Sequence, residues 1–257
     1  MSYLIICTVA LLASALTFFS GFGLGTLLLP AFALFFPIEQ AIALTAVVHF
    51  LNGLFKLALV ARHTDWGIVL RFGLPAIVAA FGGAWVLVWL ADIAPVFSYS
   101  AFGKLVSVTP VSLVVGLLLL VFALLELSPQ FRQLSFGPQF MPLGGLLSGF
   151  FGGLSGMQGA LRSAFLVKAG LTKEAFIATG VVVATLVDIS RLAIYSTSLA
   201  QESASFNYSL LVAAVLAAFA GAALGNSYLK KMTMPGIQLI VAVMLVVVAL
   251  GLISGLL

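Results

Sequence analysis

Three ionisable side chains stand in stretches that are otherwise built for lipid: Arg162, Asp188 and Arg191. Asp188 and Arg191 are three residues apart within the apolar run 176–198. On a helix that spacing puts them on one face, where they can pair. Ionisable groups at membrane depth are costly and mark ion pairs, substrate paths or proton relays. Asp188 is the carboxylate of the pair and therefore a candidate proton-coupling residue; Arg191 is a candidate for holding an anion. Arg162 sits in the first turn after Gly159. A helix N-terminus carries positive partial charge, so a cation there makes electrostatic sense when an anion visits. The plainer role is an arginine that satisfies nearby carbonyls or reaches lipid headgroups. Ser155, Gly156 and Gln158, just upstream, offer a turn and polar partners at the same place. A second polar set, Thr45, His49, Asn52 and Lys56, recurs at helical spacing along 38–61 and should face the protein interior. Histidine changes charge near neutral pH, which makes His49 the other proton-coupling candidate. Lys56, near the end of its run, either joins this set or extends to the interface.

These residues need helices in a bilayer to position them. The chain has 257 residues, 63% hydrophobic and 7% charged, with a mean hydropathy of +1.28. Soluble domains carry roughly 25% charged residues. Apolar runs are continuous rather than alternating, so the spans read as helices and not barrel strands. The N-terminal run 4–19 lacks a preceding Lys or Arg and reads as a retained membrane segment rather than a signal peptide. The net charge of +4 is placed in loops, which points to topology and not to nucleic acid. Cys7, the single cysteine, has no partner for an internal disulfide, and no cofactor or metal motif is present.

Two glycine-rich breaks, 20–25 and 152–159, interrupt apolar segments that are short for a span. Gly25 aligns with Gly159, Gln40-Ala41 with Glu174-Ala175, and Thr45 with Thr179, so the chain reads as a duplication. The expected repeats are 1–132 and 133–257. The first has a hairpin over 4–36 and spans at 38–61, 68–94 and 106–127; the second has a hairpin over 140–167 and spans at 176–198, 208–229 and 237–257. Arg62 and Arg71 flank one loop, and Arg132, Lys168 with Lys173, and Lys230 with Lys231 mark three others, which belong together on the cytoplasmic side; Lys104, in the external segment between Ala94 and Val106, is the one exception. Both termini then lie outside, in the periplasm, and the two repeats have opposite orientation. Paired interruptions in inverted repeats point to the binding site of a secondary transporter. Gly21, Gly23, Gly25 and Gly156 would shape that site, with the tips meeting near the midplane. Gly82-Gly83 and Gly221 read instead as helix-packing glycines.

Gly153-Leu154-Ser155-Gly156 also matches the short Gly-x-Ser-Gly signature of rhomboid intramembrane proteases. Those enzymes pair the serine with a later histidine, and here His49 and His63 both precede it. A serine without a positioned base is a weak nucleophile, so no enzyme is expected.

The segment from Ser20-Gly21-Phe22-Gly23-Leu24-Gly25 to Pro30, the run Gln40-Ala41-Ile42-Ala43-Leu44-Thr45, and Gly152-Gly153-Leu154-Ser155-Gly156 with Glu174-Ala175 resemble the TauE/SafE sulfite exporter family, also called the toluene-sulfonate uptake permease family. The likeness covers nearly the whole chain. Met157, Gln158 and Arg162 depart from the plainer apolar helix common there. The resemblance implies an all-α membrane protein of the bacterial inner membrane that moves sulfite, a sulfonate or a related organosulfur anion. A carboxylate carrier, a channel and a non-transporting membrane partner are the competing readings. Protons and the bilayer are the other expected partners, and a homo-oligomer is compatible with the sequence.

Overall fold

The computed structural model describes residues 1–20, 24–101, 103–128, 130, 134–202, 207–228 and 234–257. Helices α1 (Ser2–Ser20), α2 (Leu24–Ala33), α3 (Ile38–Val60) and α4 (Trp66–Ala91) open the chain. A hairpin of β1 (Phe97–Ala101) and β2 (Lys104–Val108) precedes α5 (Pro110–Leu127). The second half supplies α6 (Met141–Ser155), α7 (Gly159–Leu166), α8 (Lys173–Glu202), α9 (Tyr208–Tyr228) and α10 (Met234–Ser254). Four helical stretches, Ile38–His63, Trp66–Ala91, Lys173–Ser196 and Tyr208–Asn226, are long and apolar enough to cross a membrane. With the shorter apolar helices around them they make an all-α multi-pass membrane protein.

The principal helix pairs are α1 with α9, α6 with α4, α3 with α8, and α5 with α10; α3 also packs on α9, and α8 on α4. Replacing each helix by the one five places later maps this set onto itself. Glycine makes the α4–α6 crossing tight. Gly145, Gly149 and Gly153 form one stripe on α6, and a Cβ on any of them would strike the carbonyl of Phe72, Ala76 or Ala80 on α4. Gly83 returns the contact against Phe150, and Gly221 of α9 sits likewise on the Leu11 carbonyl of α1. Lipid gives no hydrophobic drive for helices to associate, so close backbone approach is what holds such pairs. Gly82 differs: nothing lies within 4 Å of its Cβ position, and it faces outward between Phe81 and Trp85.

The structure departs from the sequence-based boundaries in two places. Residues 106–108 belong to β2, not to a span. Phe97-Ser98-Tyr99-Ser100 alternates with period two, Gly103 turns at φ 73°, and Phe97 pairs with Val108. The following helix begins at Pro110 because the Thr109 hydroxyl accepts from the Ser112 amide while the Ser112 hydroxyl accepts from the Thr109 amide. The second break is also shorter than its glycines suggest. Gly152 to Ser155 complete α6, and the chain reverses only at Gly156, whose φ of 80° is left-handed. Gly21 and Gly23, like the loop cations Arg132, Lys230 and Lys231, lie outside the described residues.

Filling the α4–α6 crossing should be far more damaging than filling the outward notch. We expect Gly149→Val to lower stability by about 1–3 kcal/mol, and Gly82→Ala to be neutral or stabilising by up to about 1 kcal/mol. Thermal unfolding of the two purified variants in detergent separates these outcomes.

Candidate functional site

The polar stripe of α3 is buried along its whole length, from Thr45 through His49 and Asn52 to Lys56. Its members turn to three neighbours: Thr45 to Gly25 of α2, His49 to Asp188 of α8, and Asn52 to Ser14 of α1. Between the C-terminal half of α3 and the N-terminal half of α8 lies a cavity of about 50 Å³. A water needs roughly 10–15 Å³ by this measure, so the space suits a few waters or one small anion. His49, Asn52 and Lys56 of α3, Arg162 and Ser163 of α7 and Thr17 of α1 supply its polar lining. Leu24, Leu166, Phe176 and Val181 wall it. Lys56 and Arg162 are each more than nine-tenths buried, and no carboxylate is among the described lining residues.

Arg162 reaches the cavity because α7 restarts at Gly159, directly after the Gly156 reversal. Its Nη1 donates to Gln158 Oε1 at 3.2 Å, a neutral partner. Gly180 on α8 leaves room for the guanidinium; a Cβ there would stand 3.4 Å from Arg162 Nε. On the α1 side, the Ser14 hydroxyl donates to Asn52 Oδ1 at 3.1 Å.

One helical turn beyond the cavity, Asp188 is fully buried and shared by two helices. Arg191 Nε donates to Oδ1 at 2.9 Å, with Nη2 2.7 Å from the same oxygen; His49 Nδ1 lies 2.5 Å from Oδ2. The predicted Asp188–Arg191 pair therefore forms, with His49 as an added member. His49 lines the cavity and Asp188 does not, so the imidazole is the link between them. Arg191 leans on Gly156, where a Cβ would come within 2.7 Å of Nη1. The two glycine breaks meet at this level: a Cβ on Gly25 would lie 3.3 Å from the Gly156 carbonyl and 3.7 Å from Thr45 Cγ2. The Tyr195 hydroxyl, one turn after Arg191, donates to the Gly153 carbonyl and closes the layer.

Of the residues singled out in the sequence, His49, Asn52, Lys56 and Arg162 come together on the cavity. Asp188, Arg191, Thr45, Gly25 and Gly156 gather beside it, and Gln158 bridges the two groups. Ser155 stands apart, its hydroxyl turned back to the Phe151 carbonyl 3.1 Å away. Sequence reasoning missed Thr17, Ser14 and Tyr195. Ser14 and Thr17 are one turn apart in α1, and Tyr195 continues the Asp188–Arg191 spacing; these were the signals available.

The fold is that of a multi-pass helical membrane protein, with a small cavity lined by two buried cations between α3, α7 and α8. The family comparison agrees: the model of the sulfite exporter TauE/SafE family matches residues 6–252, and the chain belongs to that family of membrane transporters. No curated protein and no solved structure matches it.

Breaking a buried ion pair leaves one charge uncompensated, at a cost of about 3–5 kcal/mol. We expect Arg191→Leu to lose stability on that scale and the double variant Asp188→Asn/Arg191→Leu to recover at least half of the loss. Thermal unfolding of single and double variants reads this coupling; simple additivity would show that Asp188 does not depend on Arg191.

Proposed function

We propose that the chain is a secondary transporter that exports a small sulfur-containing anion, such as sulfite or a sulfonate, with Lys56 and Arg162 holding it in the α3–α8 cavity. The observation that carries this is the pairing of two deeply buried cations on a cavity whose described lining has no carboxylate. Burying an ion costs several kcal/mol even after relaxation, and an anionic ligand offsets that cost. Asn52 and Thr17 add neutral hydrogen-bonding groups for oxyanion oxygens.

The cavity lies at the ends of α3 and α8 that lead to the basic loops around Arg62 and Lys168. With basic loops in the cytoplasm, it is reached from inside an inner membrane, and both termini are periplasmic. The exchange-symmetric helix packing supports inverted repeats rocking against each other as the route to alternating access. The His49–Asp188 contact is the place for the coupling proton, because His49 touches the cavity and Asp188 is its buried partner.

Flux of radiolabelled sulfite, methanesulfonate and acetate into proteoliposomes tests the reading. We expect saturable flux of a sulfur oxyanion. Arg162→Ala should reduce it at least tenfold, whereas Arg62→Ala, an exposed loop change, should leave it within twofold. Asp188→Asn should lose acceleration by a pH gradient yet keep substrate exchange. Acetate flux without sulfite or sulfonate flux would overturn the substrate assignment.

A further inference from the structure

Among the described residues, four buried side chains keep polar atoms without a hydrogen-bond partner: Thr17 Oγ1, Thr45 Oγ1, Gln158 Nε2 and the terminal nitrogens of Arg191, of which Nη2 is still within ion-pair distance of Asp188. Thr17 belongs to the cavity. The other three do not line it. They surround the point where the glycine breaks meet. Thr45 and Gly156 flank Gly25, Arg191 Nη1 faces Gly156, and Gln158 follows two residues later. All three side chains are essentially inaccessible to solvent. An unsatisfied buried donor costs about 1–3 kcal/mol, more when charged. Three of them gathered at the level of one glycine contact is a costly arrangement for a merely structural core.

The axial order of residues explains what they do. On α8 the cavity wall runs through Phe176, Gly180 and Ala184, and the same face continues to Asp188, Arg191 and Tyr195. On α3 it runs the other way, from Lys56 and Asn52 to His49 and then Thr45. The His49–Asp188 contact therefore lies between the open cavity and the Thr45–Arg191 level. We infer that the protein has two anion stations in series: the Lys56–Arg162 cavity, and an occluded station formed by Thr45 Oγ1, Gln158 Nε2 and Arg191 Nη1 against Gly25 and Gly156. The His49–Asp188 contact is the gate between them. In this state the layer is closely packed, with a Cβ on Gly25 3.3 Å from the Gly156 carbonyl and one on Gly156 2.7 Å from Arg191 Nη1, so an oxyanion enters it only as the His49–Asp188 gate opens. Gln158 spans the stations, accepting from Arg162 through Oε1 and offering Nε2 to the deeper one. The ligand class is a compact oxyanion, since the Lys56–Arg162 cavity, at about 50 Å³, has no room for a long apolar tail. This rests on the transport reading above.

Thr45→Val tests it without threatening the fold. The substitution keeps shape and removes a hydroxyl that has no partner in the empty protein. We expect its thermal unfolding temperature to equal or exceed that of the wild type, and equilibrium binding of radiolabelled sulfite in the Lys56–Arg162 cavity to stay within threefold. Flux in proteoliposomes should fall at least tenfold. Arg191→Lys, which keeps the charge near Asp188 but loses the forked donors, should show the same split between binding and flux. Wild-type flux in folded Thr45→Val would overturn the second station while leaving the Arg162 result intact. Parallel loss of binding and flux would reduce the two stations to one. Absence of sulfite flux in the wild-type protein would instead sink the transport reading itself.

Discussion

A fully buried carboxylate must find its partners within the protein, and the arrangement of this chain follows from how Asp188 does so. Arg191 supplies one partner from the same helix, which costs no long-range closure. His49 supplies the other from α3, and that bond fixes the depth at which α3 and α8 lie beside each other. Asp188 spends its hydrogen bonds on these two residues, and no carboxylate is among the described residues that line the cavity.

Backbone approach is the second constraint. The α6 stripe of Gly145, Gly149 and Gly153 presses on α4 so closely that only glycine fits. That contact sets the position of the end of α6, hence of Gly156, hence of the start of α7. Arg162 is delivered to the cavity by this sequence of contacts, with no local preference of its own: a cation in the first turn runs against the helix dipole. The unfavourable placement persists because packing several turns away determines it.

Much of this was legible in the sequence. The alternating four- and three-residue spacing of Thr45, His49, Asn52 and Lys56 could only be reconciled with lipid by turning them inward, and Asp188 and Arg191 declared a pair by their separation. Helix existence followed from hydropathy. What hydropathy could not show was where an apolar stretch changes backbone state. Val106 is as apolar as the helix after it, and only the Thr109–Ser112 capping box and period-two alternation mark the strand. Nor could it tell a turning glycine from a packing one. Gly153 and Gly156 are neighbours in one motif, yet one is decided by the α4 surface and the other by a left-handed φ. The union of His49 with Asp188 joins residues far apart in the chain, so no local pattern encodes it.

The small hairpin has a mechanical meaning. It leads into α5, in the first half of the chain, yet Tyr99 is bonded to the Ser254 carbonyl at the end of α10, and Gly255 fits against Ser107 closely enough to exclude a side chain. Because α5 and α10 already lie together, the hairpin acts as a staple across the halves. Any swing of one half against the other has to pivot about this stapled edge, and the displacement grows with distance from it.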